Sequence, residues 1–255
     1  MKYFGTTTGE MPFLDHLEEL RWRILWSLLA IGVFTIVGYF VVTRLNVLSL
    51  LIEPITPFLD NSRLGYLSPT DPFFVTLKLS LVVGILLAGP IIIFQLWAFL
   101  SPALHSSEKR AIIPSLYFGL VLFMAGVAMA YYIALPVTLQ FTMGFQTESL
   151  EQAIVIGEYL SVVTRLLLAF GIVFELPVVI LLLTFLGLVT PEFLASKRRH
   201  AIALITVVSA LITPGDVITI TLMMMAPLAL LYEISITLSK FVVRRRTAEP
   251  EPARG

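Results

Sequence analysis

The stretch Leu166-Leu167-Leu168-Ala169-Phe170-Gly171-Ile172-Val173-Phe174-Glu175-Leu176-Pro177-Val178-Val179-Ile180-Leu181-Leu182-Leu183-Thr184-Phe185-Leu186 decides the class of this chain. It holds one ionisable side chain, Glu175, in a run otherwise suited to hydrocarbon. Roughly 20 such residues, wound as a helix, cross a bilayer core about 30 Å thick. The rest of the sequence agrees. Of its 255 residues 58% are hydrophobic and 13% charged, and the mean hydropathy is +0.93. A soluble domain carries about 25% charged residues, so this chain lacks the surface that water requires. The membrane is its solvent.

Formal net charge is zero and cysteine is absent. The first gives no electrostatic argument for a nucleic-acid partner. The second excludes disulfides, thiolate metal sites and cysteine nucleophiles. Asp15, Glu18 and Glu19 precede the first apolar run, which then continues too far for a signal-peptide core, so no cleaved leader is expected.

Six transmembrane helices are expected. The first runs from Ile24 to Val42, and a polar loop with Pro54, Pro57 and Pro69 follows, with room for a short interfacial helix at Val47–Ile52. Asp71-Pro72 reads as N-cap and first helical residue of the second helix, which continues to Leu100. The third spans Lys109 to Leu135, with Pro136 opening a long loop, and the fourth spans Tyr159 to Leu186. His200–Ile212 and Val217–Leu238 are the fifth and sixth, joined by Thr213-Pro214-Gly215-Asp216. This divides the chain into an amphipathic N-terminal segment (1–23), a transmembrane domain (24–238) and a basic tail (239–255) expected to be disordered. No internal repeat is evident.

Lysine and arginine set the orientation. Lys2, Arg21, Arg23, Lys109, Arg110, Lys197, Arg198, Arg199, Lys240, Arg244, Arg245, Arg246 and Arg254 fall on one side, and only Arg44 and Arg63 on the other. Both termini are therefore expected in the cytoplasm. The fifth helix rises only about 20 Å, so the turn after it, with Asp216, is expected to lie below the outer surface where the bilayer thins.

Four places carry chemistry. Phe13, Leu17, Leu20 and Ile24 form an apolar stripe, beside which Asp15 and Glu19 stand one turn apart. These acids either invite a cationic partner or pair internally, Glu19 with Arg23 and Glu18 with Arg21. Glu108 either complements the dipole of the third helix or binds a ligand. Trp97 and Phe99 fit an interfacial aromatic belt equally well. Glu175 is the sharpest signal, because an acid at the bilayer centre costs about 2.5–3.5 kcal/mol even on the lower scales. It is either a neutral acid bonded to a neighbouring helix or a functional group. Arg165 stands about 15 Å away along the same helix. It and Lys78 are expected to snorkel outward. His16, His105 and His200 lie at the cytoplasmic rim without metal-like spacing and read as solvated. No catalytic triad, nucleotide loop, metal set or cofactor site is evident.

These pieces together resemble the TatC family of the twin-arginine protein translocase over nearly the whole chain. The resemblance rests on His16-Leu17-Glu18-Glu19-Leu20-Arg21, Gln95-Leu96-Trp97-Ala98-Phe99 with Pro102-Ala103-Leu104, and Glu108-Lys109-Arg110. It continues through Phe170-Gly171 to Phe174-Glu175-Leu176-Pro177, Thr213-Pro214-Gly215-Asp216, and Pro227 to Leu231-Tyr232-Glu233. It implies an all-α, glove-shaped inner-membrane receptor and core subunit, not an enzyme. Such a receptor binds paired-arginine signal peptides of folded precursors for export driven by the proton-motive force. In the family the signal-peptide site would comprise Glu19 and Glu108, with Arg21 and Phe99 around it. Glu175 would meet single-span TatA- and TatB-like partners, in a homo- and hetero-oligomeric assembly within membrane lipid. Pro54 and Asp216 match positions important to assembly and transport. One departure stands out: many members carry glutamine four residues after that aspartate, where this chain has Ile220.

Two rivals remain at this point. A secondary transporter of a small solute or ion would use Glu175 as its proton site, but that class shows internal repeats. An intramembrane enzyme would need a second catalytic group at the depth of Glu175.

Overall fold

The computed structural model describes residues 13–59, 63–100, 112–144, 153–212 and 218–248, and the described residues are helical almost throughout. In chain order the helices are α1 (Phe13–Arg44), α2 (Val47–Ile52), α3 (Asp71–Leu100), α4 (Ile112–Met129), α5 (Leu135–Gly144), α6 (Ile156–Phe174), α7 (Leu176–Phe185), α8 (Pro191–Ser196), α9 (Arg198–Ile212) and α10 (Ile218–Ala248). A 3₁₀ turn at Glu53–Phe58 extends α2. Among the described residues five helical stretches are long and apolar enough to cross a membrane: Asp15–Arg44, Asp71–Phe99, Ile113–Gly144, Ile156–Phe185 and Met224–Arg244. Helix α9, with 15 residues, is shorter. It rises only about 22 Å.

Close backbone approach holds α1 to α3. A Cβ on Gly38 would stand 2.5 Å from the Ser80 carbonyl oxygen, and one on Gly84 would stand 2.6 Å from Thr35 Cα. Lipid supplies little hydrophobic drive between helices, so small residues that let backbones touch supply packing instead. The rest of α1 faces outward, with Ile36 64% and Phe40 57% exposed. Helices α4 and α6 interlock: Phe174 fills the notch at Gly126, and the Phe123 ring fills the one at Gly171. Helices α7 and α10 share a buried hydroxyl pair, Thr184 Oγ1 and Ser239 Oγ, 2.9 Å apart.

At the opposite end from the chain's start, Asn46 in the left-handed region (φ 49°) turns α1 into α2. This short helix is sewn to the bundle by the hydroxyls of Tyr131 and Tyr159, which donate to the carbonyls of Leu50 and Leu51. The segments before α3 and α6 meet here in one parallel bridge, Gly65 N donating to Ile154 O (3.1 Å) and Ile156 N to Gly65 O (2.9 Å).

Several boundaries differ from expectation. The amphipathic lead-in and the first apolar run form one helix, α1. The expected break at Pro136 does not occur. A π turn at Ala130–Ala134 precedes it, with Leu135 N reaching Ala130 O, and the helix continues to Gly144. The wider turn accommodates a proline that lacks an N–H and would crowd the carbonyl four residues back. Asp71 does begin α3, but its carboxylate turns backwards to accept from Leu67 N and Ser68 N, both at 2.9 Å. The fourth apolar segment is broken at Glu175 into α6 and α7. Gly187 then closes α7 with φ +70°, Leu188 N donating to Leu183 O and Gly187 N to Thr184 O, the Schellman arrangement. Helix α10 runs ten residues past the expected Leu238 end, to Ala248, and the chain beyond it lies outside the described residues.

Candidate functional site

The amino-terminal turns of α1 and the last turns of α3 build the first cluster. His16, Glu19 and Arg23 recur at helical spacing on one face of α1, and Gln95 and Phe99 stand one turn apart on α3. The His16 ring stacks on Phe99, with centroids 4.3 Å apart and planes 16° from parallel. Arg23 Nε donates to Glu19 Oε1 at 2.9 Å, Arg23 Nη2 donates to the same oxygen, and Nη1 donates to Gln95 Oε1 at 3.2 Å.

The internal pair that the spacing allowed therefore forms, yet it uses one carboxylate oxygen. Glu19 Oε2 is buried, with no hydrogen-bond partner among the described residues. His16 Nδ1 stands 3.9 Å from it, beyond hydrogen-bond reach. An ionised carboxylate offers about four acceptor positions, and a bidentate arginine would take both oxygens. Oε2 keeps its acceptor capacity, but it is buried, so another guanidinium reaches it only if the side chains around it move. The other internal pair, Glu18 with Arg21, does not form among the described residues, and both side chains are exposed.

Trp97 departs from the interfacial-belt reading. It is 0% exposed and packs with Ile93, Val178 and Leu182, edge-on to Phe185 at 6.3 Å. Its indole Nε1 has no hydrogen-bond partner among the described residues. Phe99 is half-buried beneath His16, so His16 is a stacking partner and not a free solvated ring.

Glu175 sits at the α6–α7 break, with φ −75° and ψ −7°. Pro177 forces this turn: Glu175 N donates to Ile172 O, and the Glu175 carbonyl accepts from Val178 N and Val179 N. Its side chain is half-buried, and Oε1 is buried without a hydrogen-bond partner among the described residues. Gly119 on α4 makes room for it, since a Cβ there would stand 2.9 Å from Oε2. The expected alternative of a bond to a neighbouring helix is not made among the described residues. What the geometry offers is an acid with an unmet hydrogen-bonding need.

The remaining candidates divide. Pro54 is half-buried in the 3₁₀ turn, beside the fully buried Ile55. Arg21 is exposed on α1. Glu108 and Asp216 lie outside the described residues, as does His105. Ile220 lies in α10. Among the described residues no group of three or more His, Asp or Glu side chains is placed to hold a metal ion.

Sequence reasoning passed over two links. Arg198 grips Glu233 bidentately, Nε to Oε1 at 2.7 Å and Nη2 to Oε2 at 2.9 Å, joining α9 to α10. Tyr232 OH beside it donates to Leu194 O at 2.9 Å. Nothing local in the sequence pairs Tyr232-Glu233 with Arg198, which lies a whole helix away.

The comparisons with known proteins agree with this geometry. The family model described as Sec-independent protein translocase protein (TatC) matches residues 15–227. The Sec-independent protein translocase protein TatC of Aquifex aeolicus is 42% identical over 238 residues, covering 92% of this chain and 98% of that protein. TatCy of Bacillus subtilis is 36% identical over 244 residues, covering 93% and 92%. Among solved structures, a twin arginine translocase receptor TatC superposes with a TM-score of 0.76 at 40% identity, covering 90% of this chain and all of that one. A second, in the detergent DDM, gives 0.77. Agreement in helix order and in sequence over nearly the whole length has one explanation: the chain belongs to the TatC family of Sec-independent protein translocases and is a multi-pass membrane protein, not an enzyme.

Proposed function

We propose that this chain is the receptor and core subunit of a twin-arginine translocase, binding paired-arginine signal peptides of folded precursors for export driven by the proton-motive force. The observation that carries the reading is the unsatisfied Oε2 of Glu19, which has no hydrogen-bond partner among the described residues while Arg23 holds the other oxygen. Each hydrogen bond between an incoming guanidinium and this carboxylate contributes about 1.5–3 kcal/mol. Glu108 supplies the second carboxylate, and two such acceptors favour two adjacent arginines over one. Arg21 and Phe99 flank the site.

The same reading places the chain in the bacterial inner membrane with six spans and both termini in the cytoplasm. The lysine and arginine asymmetry supports that orientation, with α9 as a short span beneath a thinned bilayer. Glu175 contacts the single-span TatA- and TatB-like partners, whose polar groups answer its unmet oxygen. Pro54 and Asp216 serve assembly and transport on the outer side. The transporter alternative has no observation in its favour.

The test is site-specific photocrosslinking from the neighbourhoods of Glu19 and Glu108 in membranes, with and without a paired-arginine precursor. The expected result is a precursor adduct that disappears when both acids become Gln. Adducts that survive the double substitution would remove these acids from the site.

A further inference from the structure

We infer that Lys78, Ser161 and Arg165 form a binding site for the phosphate of an anionic phospholipid in the leaflet at the amino ends of α3 and α6, the outer one on the topology proposed above. Both cations lie inside predominantly apolar spans, Lys78 in Asp71–Phe99 and Arg165 in Ile156–Phe185. Lys78 stands about 10 Å along α3 from Asp71, and Arg165 about 13 Å along α6 from Ile156, at 1.5 Å per residue. The Gly65–Val155 bridge joins the segments leading into these helices, so the two charges lie at similar depth.

They also share one face. Lys78 Nζ donates to Ser161 Oγ at 2.7 Å, and Arg165 follows Ser161 by one turn of α6, on the same side. Helical side chains lean towards the amino end of their helix. Arg165 therefore leans back over Ser161, towards the Lys78 ammonium, and both lean towards the membrane surface. Both side chains are exposed.

Neither cation has an acid partner among the described residues. Lys78 bonds only a neutral hydroxyl, and Arg165 makes no ion pair there. The nearest acids in these helices are otherwise placed. Asp71 is committed to Leu67 N and Ser68 N. Glu158, exposed on the same face of α6 two turns before Arg165, makes no ion pair with either cation among the described residues. Two cations in hydrocarbon without a counter-charge are costly. A phosphodiester brings one negative charge and acceptor oxygens for both an ammonium and a guanidinium. Its acyl chains are already at home against the exposed apolar sides of Phe74, Leu77 and Leu81.

The full chain, purified in mild detergent, tests this by native mass spectrometry and thermal unfolding with added phosphatidylglycerol, diacylglycerol or inorganic phosphate. Phosphatidylglycerol should remain bound and raise the melting temperature, and the other two should not. The Lys78→Gln/Arg165→Gln variant should lose one lipid adduct, with its affinity roughly tenfold or more weaker. The charge-keeping variant Lys78→Arg/Arg165→Lys should retain that adduct. Removing membrane-embedded charge does not endanger insertion, so the first variant remains interpretable. Equal lipid retention by wild type and the Gln variant would overturn the site. So would equal stabilisation by diacylglycerol, which would mean that chains alone bind, or protection of the two cations only when a single-span partner is co-purified.

Discussion

The Glu175 carboxylate of the α6–α7 break lies against Gly119 of α4, with Oε2 2.9 Å from the position a Cβ would occupy. Glycine there is a recess cut to the size of the carboxylate. Gly119→Ala should push the acid out of this position without removing its charge. Overfilling a packed contact costs about 1–3 kcal/mol, so the variant should still insert. Co-purification of the single-span partners should fall several-fold, with signal-peptide crosslinking little changed. Wild-type co-purification would show that the placement of Glu175 is irrelevant to partner binding.

Glu19 and Arg23 make opposite predictions although they are bonded to each other. Glu19→Gln removes the acceptor charge and should weaken signal-peptide binding by about ten- to a hundredfold, the equivalent of one charge-assisted bond. Arg23→Gln releases Oε1 as well and should leave binding intact or strengthen it. Titration of a labelled signal peptide against both variants checks this. If Arg23→Gln binds as poorly as Glu19→Gln, the pair as a unit and not the open oxygen is the recognition element.

Gly38 and Gly84 should tolerate no branched side chain. With Ser80 O at 2.5 Å from one added Cβ and Thr35 Cα at 2.6 Å from the other, the α1 and α3 backbones must separate. Gly84→Val should reduce accumulation in the membrane and lower the melting temperature in detergent by several degrees, an effect of about 2 kcal/mol or more. Gly32, with nothing within 4 Å of its Cβ position, is the control: Gly32→Val should be nearly neutral.

The Thr184–Ser239 hydroxyl pair should matter less than its burial suggests. Interhelical side-chain hydrogen bonds in membranes average about 0.6 kcal/mol and reach about 1.7. A double-mutant cycle of Thr184→Val and Ser239→Ala, read by denaturant unfolding, should return a coupling within that range. A coupling of about 3 kcal/mol or larger would show that α7 and α10 are held mainly by this contact.

Hydropathy made the long helices legible, because length and apolarity act on each segment alone. Features set by a neighbour were harder to read. Pro136 looks like a terminator in isolation, and only the π turn at Ala130–Ala134 lets the helix pass through it. The charge of Arg244 and the arginines beside it suggested a disordered tail, yet α10 carries them as helix. Trp97 and His16 were read by residue type as belt and solvated rim, whereas the packing of α7 and α3 decides where each ring goes. The Glu19–Arg23 pair was visible as spacing. That it would occupy one oxygen and spare the other depends on Gln95, which arrives from another helix.

The Gly65–Ile154 link is made wholly of peptide atoms, two N–H donors and two carbonyls. Side chains around it, such as Leu64, Tyr66 and Val155, are therefore free to drift over evolutionary time without untying the two segments. Proline is the exception, since at 65 or 156 it would delete a donor outright. A mutational library of this region should show a broad plateau of acceptance interrupted at two positions by one amino acid.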